Sequence, residues 1–81
     1  MNDEEYGTNN IGEASYLYQG GVQLLTAINP QGFEYFVFGN KDNVARRLVE
    51  EYYEDAAAPA RSLFTAMGRL RREVTLARRA R

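Results

Sequence analysis

Apolar residues recur along this chain in two periods. Ile11, Ala14, Leu17 and Tyr18 step at helical spacing. Asn10 stands where a helix cap is needed, and Glu13 three residues later completes a capping-box pattern. Gly20 and Gly21 supply the stop, because glycine takes the left-handed terminal conformation without a Cβ penalty. The pattern predicts a first helix over residues 11–19. Val22 to Ile28 and Phe33 to Phe38 then read as strands, joined by Asn29-Pro30-Gln31-Gly32. Pro fixes φ at the second turn position, Asn caps the turn, and Gly supplies positive φ on exit. These residues predict a type I turn with a glycine bulge, and with it an antiparallel hairpin. In that register Val22, Leu24, Thr26 and Ile28 share a face with Glu34, Phe36 and Phe38. Gln23, Leu25 and Ala27 share the other with Phe33, Tyr35 and Val37. Both faces are largely apolar, whereas a hairpin in a small monomer needs only one buried face.

Gly39-Asn40 ends the second strand. Asn40 is placed to cap a second helix with Asp42 in its first turn and Val44, Leu48, Val49 and Tyr52 as its apolar stripe. Glu54 to Ala58 reads as a linker, and Pro59 suits the first turn of a third helix. Leu63, Met67, Leu70, Val74 and Ala77 step by four and three, with Arg61, Arg69, Arg72 and Arg79 opposite. At 1.5 Å per residue this helix reaches about 30 Å. The predicted class is α+β: a short helix, a two-stranded antiparallel hairpin and two helices, the last long and arginine-rich. Residues 1–9, with Asp3, Glu4 and Glu5 in a row, read as a disordered acidic tail. Residues 10–81 read as one small domain with a C-terminal basic helix over 59–81. The predicted core is Ile11, Ala14, Leu17, Tyr18, Leu24, Ile28, Phe36, Phe38, Val44, Leu48, Tyr52, Leu63, Met67 and Leu70.

Charge divides the chain. Residues 1–58 carry ten acids and three bases, net −7; residues 59–81 carry seven arginines and one acid, Glu73, net +6. The sum is the −1 of the whole. The last helix is an electropositive element attached to an acidic body. Three structural readings fit it. Arg71, Arg78 and Arg79 complement a helix C-terminal dipole; some arginines pair with the acidic body of this or a second subunit; the rest are ordinary surface. Two functional readings compete with these. The arginines meet nucleic-acid phosphate without reading bases, since the guanidinium is a permanent planar fork, or they meet another protein. The candidate binding residues are Arg61, Arg69, Arg71, Arg72, Arg78 and Arg79.

At 81 residues the chain is marginal as a monomer. It has no cysteine and no histidine, so disulfides are excluded and a zinc site is not expected. Self-association is the remaining device for stability. A dimer interface is expected from Leu25, Phe33, Tyr35 and Val37 on the spare hairpin face, or from Met67, Leu70, Val74 and Ala77 on the last helix. No apolar run of about 18 residues is present to span a membrane. The acidic N-terminus is unlike a signal peptide. These features predict a cytoplasmic protein that does not bind membranes.

Catalytic parts are missing. The only serines are Ser15 and Ser62, neither in a nucleophile-elbow pattern. Glu50 and Glu54 stand one helical turn apart, but hard cations need more ligands in a defined loop, so these read as a solvated acidic face. Gly20-Gly21 precedes a strand with no Gly-Lys-Ser/Thr after it, so no phosphate loop is present. Gly32, Phe33, Tyr35 and Phe38 match positions of the first RNA-binding motif of RRM domains, but Gln31 and Glu34 depart from it and the chain is too short for that four-stranded domain. Even so, Phe33 and Tyr35 are placed where bases could stack. No catalytic residue, metal ligand or cofactor is expected.

Ala14-Ser15-Tyr16-Leu17-Tyr18 with Gly20 after it, the strand Phe36-Val37-Phe38, Leu48 to Tyr53 and the closing Leu63 to Arg72 together resemble a family of short bacterial and phage-encoded domains of unknown function. The resemblance covers about residues 8 to 75. It implies the helix–hairpin–helix–helix order and a phage or mobile-element context, and it brings no activity. The expected function is a non-catalytic homo-oligomeric interaction or accessory module. A non-sequence-specific nucleic-acid-binding accessory protein is the first alternative, and an inhibitor docking on a host protein is the second.

Overall fold

The structure is a computed structural model and describes residues 4–54 and 60–80. The fold is α+β: a three-stranded antiparallel sheet with three α-helices. In chain order the elements are β1 (Glu5–Thr8), α1 (Ile11–Gln19), β2 (Leu24–Ile28), β3 (Glu34–Gly39), α2 (Val44–Tyr53) and α3 (Ala60–Arg79). The sheet order is β1-β3-β2, so β3 is central. The molecule measures 36 × 31 × 16 Å, a plate one sheet and one helix layer thick.

The third strand corrects the expectation of a disordered tail over residues 1–9. Tyr6 pairs with Phe38 and Thr8 with Phe36, so both project to the covered side of the sheet, while Gly7 pairs with Val37 on the open side. Thr8 is buried and Tyr6 packs against the core. The four residues of this strand, Glu-Tyr-Gly-Thr, carry no apolar alternation of their own, so periodicity does not announce it. The central strand supplies the partner that makes them a strand. Residues 1–3 lie outside the described residues.

The hairpin turn forms as its residues require. The Gly32 amide donates to the Asn29 carbonyl at 2.9 Å, Asn29 Oδ1 accepts from the Gln31 and Phe33 amides, and Gly32 sits at φ +89°. Leu24 faces Phe38 as expected, but the register slips between Leu24 and Thr26 and again before Ile28. An extra residue turns the remainder of a strand over to the other face. Thr26 therefore pairs with Val37 on the open side, and Ala27, assigned from sequence to that open side, is buried in the core.

Asn10 caps α1, its Oδ1 accepting from the Glu13 amide at 3.0 Å. The second helix starts later than Asn40 alone suggests. A 3-10 turn over Lys41–Asn43 intervenes, with Asp42 (φ 57°) and Asn43 (φ 63°) both left-handed. That conformation is one the short Asx side chains tolerate best after glycine. Buried Asn40 still reaches in, its Oδ1 accepting from the Arg46 amide in the first turn of α2. The delayed start turns Ala45 and Val49 inward, and Val44, expected in the core, is exposed. The start of the third helix at Pro59, and Glu54–Ala58 as a linker, fall largely outside the described residues; α3 is described from Ala60.

The core gathers Ala14 and Leu17 of α1, Ala27, Phe36 and Phe38 of the sheet, Ala45 and Val49 of α2, and Leu70 and Val74 of α3. Ile11, Tyr18, Leu24, Ile28 and Leu48 pack around it half-buried, whereas Tyr52, Leu63 and Met67, expected in the core, are half-buried and not part of it. Replacing Phe36 by Ala should cost about 3–5 kcal/mol, read as a lower denaturation midpoint; an unchanged midpoint would contradict this core. Ser15 Oγ is buried in α1 with no hydrogen-bond partner. Ser15→Ala should therefore leave stability unchanged or raise it slightly in the same assay, because it removes a desolvated polar atom without breaking a bond.

Candidate functional site

The long helix is held by its small inner side. Ala66, Leu70 and Val74, each one turn from the next, are buried where α3 crosses α1 and β2. The sequence places Leu70 and Val74 in an intersubunit seam with Met67 and Ala77. Both are instead used inside the subunit, and Met67 and Ala77 flank them half-buried. Leu70 and Val74 are covered by the chain's own α1 and β2 and are not free to meet a second copy. Near its end, α3 is tied to the hairpin: Arg78 Nε donates to the Gly32 carbonyl at 3.0 Å.

With that side inward, Arg61, Arg69, Arg71, Arg72, Arg78 and Arg79 are all exposed. Arg78 and Arg79 occupy the last turn, where cations complement the dipole. Among the described residues none of the six pairs with a carboxylate, and Arg78 alone has the carbonyl contact above. Among the described residues, these arginines are therefore not paired with the acidic body of the same chain. Glu73 is the one acid on α3; Glu50 and Glu51 on α2 and Glu54 just beyond it are exposed, and no third carboxylate converges with Glu50 and Glu54 among the described residues. Asp55 and Arg81 lie outside the described residues.

Two concavities border these elements. One, of about 370 Å³, runs between the end of α1 and the start of α3, with Arg61, Ser62, Thr65 and Arg69 on one wall and Tyr18 and Gln19 on the other. Its donors suit an anion. The second, of about 490 Å³, is an apolar depression on the open side of the sheet, formed by Thr26, Ile28, Pro30, Tyr35 and Val37. Of the residues expected at a hairpin interface, Tyr35 and Val37 are half-buried there, while Leu25 and Phe33 are exposed nearby on β2 and the turn.

One buried carboxylate has a role other than the capping its sequence pattern suggests. Glu13, only 8% exposed, does not return its side chain to the Asn10 amide as a capping box requires; that amide donates instead to Thr8 Oγ1 at 3.0 Å. The Glu13 carboxylate accepts from the Tyr6 hydroxyl at 2.7 Å and from the Tyr53 hydroxyl. One acid thereby joins β1, α1 and the end of α2. Tyr52 packs beside it, its ring 5.5 Å from that of Tyr16 and 5.2 Å from that of Tyr53. The cluster clamps the three elements together. Its only sequence signal is the capping pattern, which directs Glu13 the wrong way, and Tyr6 lies in the expected tail.

No family model, curated protein or solved structure matches this chain. Among the described residues no helix is long and apolar enough to cross a membrane.

Burial first, then the bond to Glu13 and its charge, push Tyr6 from its ordinary value of 10.0 to about 12. Tyr53 is raised as well, first by its bond to Glu13. The fold holds both phenols neutral. The contribution of Tyr6 is thus complete below its unfolded value near 10 and is lost as pH rises through about 12. Denaturation across that window should show wild-type stability falling more steeply than that of Tyr6→Phe, which lacks the titrating hydroxyl. Parallel curves would show that Tyr6 is not clamped.

Proposed function

We propose that this chain is a small non-catalytic binding module whose working surface is the outward side of α3, and that this surface takes nucleic-acid phosphate without reading sequence. One observation carries the reading: Arg61, Arg69, Arg71, Arg72 and Arg79 are exposed along one helix with no partner among the described residues. A permanent cation suits a phosphate oxygen, and cations spread along a helix suit a linear polyanion. The burial of Leu70 and Val74 within the subunit and the absence, among the described residues, of carboxylate partners for these arginines favour this reading over the structural ones. The absence of histidine and cysteine and the burial of Ser15 support a non-catalytic role.

A second reading is favoured by the depression formed by Thr26, Ile28, Pro30, Tyr35 and Val37: self-association through the open side of the sheet. The two readings use different surfaces and are compatible. Sedimentation equilibrium should give a mass near twice 9.2 kDa if the sheet side is a dimer contact, and 9.2 kDa if it is not.

Fluorescence anisotropy with a labelled duplex tests the first reading. Affinity should fall steeply between about 50 and about 200 mM salt. Replacing Arg72 and Arg79 by Gln should weaken all sequences alike and flatten the log–log salt slope by roughly 2. A sequence-selective loss would count against phosphate contact, and no binding at the lower salt would end the reading.

A further inference from the structure

Phe64 is 71% exposed, the highest value among the large apolar residues described. It stands on α3 away from the core, within the arginine surface. Gly68 lies one turn further along, about 40° around the helix from Phe64. A Cβ at Gly68 would meet nothing within 4 Å, and its φ is not positive, so neither crowding nor backbone geometry calls for glycine there. Glycine is nonetheless the poorest helix former after proline. Its effect at this position is to leave the helix surface open one turn beyond Phe64. Cations flank the pair along the axis. Arg61 lies about 4.5 Å back along the helix from Phe64; Arg71, within about 20° of it, lies roughly 10 Å ahead, with Arg72 next to it.

We propose that exposed Phe64 is a stacking site for a base of single-stranded nucleic acid, with the open surface at Gly68 leaving room for it and with Arg61 on one side and Arg71 and Arg72 on the other holding the adjacent phosphates. This deepens the function proposed above and rests on it. A duplex hides its base faces and presents phosphates, against which an exposed ring is unfavourably placed. A single strand offers a π-face to the ring and phosphates to the flanking arginines at once. The concentration of one sign of charge around the ring favours a polyanion over a protein partner of mixed surface. Stacking and phosphate contact are common to DNA and RNA, so the sugar is not what the site selects.

The test compares a 20-mer of thymidylate with a duplex of equal length, at fixed salt, on the full chain. The wild type should bind the single strand more tightly. Phe64→Ala should weaken the single strand by roughly 10-fold or more while leaving the duplex and the thermal midpoint unchanged. Phe64→Trp should restore single-strand affinity. Gly68→Leu should keep or raise the helix content and still weaken the single strand, because its side chain would occupy the space left open one turn from Phe64. Equal effects of Phe64→Ala on both ligands, or none on either, would overturn the stacking site while leaving phosphate binding intact. So would a dimer that dissociates in Phe64→Ala, since the ring would then belong to a contact between copies. Failure of both ligands to bind at low salt would instead remove the phosphate reading beneath it.

Discussion

Covering Phe36 and Phe38 is the constraint on which the rest of this structure depends. They project from the central strand into the core, and both are fully buried. Each flanking strand contributes to the same side: Tyr6 and Thr8 from β1, Leu24 and Ala27 from β2. Two helices must then lie across that side, and α1 and α3 do so while packing on one another. The inner line of α3 is made of Ala66, Leu70 and Val74, whose modest size lets the helix lie close to its neighbours. Once that line is fixed, helical periodicity leaves the arginines no choice but to face solvent.

The charge division has its origin in the same placement. Most of the arginines stand on α3, where Glu73 is the one acid, while α2 carries Glu50 and Glu51 together with Arg46 and Arg47; among the described residues the six α3 arginines make no carboxylate pair. The overall charge of −1 hides a bipolar surface. Exposed, well-hydrated charges contribute little to folding, so their arrangement is free to serve association. Polar chemistry that matters to the fold is concentrated elsewhere, at buried Glu13 and Asn40. Each stitches a chain reversal: Glu13 links β1 to the end of α2 through two phenols, and Asn40 receives the first-turn amide of α2.

Periodicity and turn chemistry make much of the fold legible. Asn29-Pro30-Gln31-Gly32 specifies its turn locally, and Asn10 and Gly20 bracket α1 with the bounds expected. Tertiary partners decide the remainder, and there the sequence is silent. β1 has no periodic signal and becomes a strand because β3 has a free edge. Ala27 lies inside because a bulge, invisible in composition, shifts the register. Val44 lies outside because two left-handed residues delay α2. Small inward residues, Ala27, Ala45 and Ala66, give a weaker apolar signal than larger ones, although close packing between helices and sheet selects for small side chains. At the candidate site, the arginines and their outward direction are readable from the four-three spacing. Phe64 and Gly68 are not, because an exposed phenylalanine means nothing until burial shows that the core does not use it.

The 16 Å thickness of the plate has one more implication. A body only two layers deep has two broad sides, and α3 covers one side of the sheet while Tyr35 and Val37 belong to the other. Occupying one leaves the other clear. If two copies met back to back through their sheets, both arginine helices would still point outward, in opposite directions. Such an object is bivalent: it could hold two segments of a polyanion apart, or bring two segments of one strand together. Its grip would then be set by the effective concentration of the second site as much as by the strength of either contact.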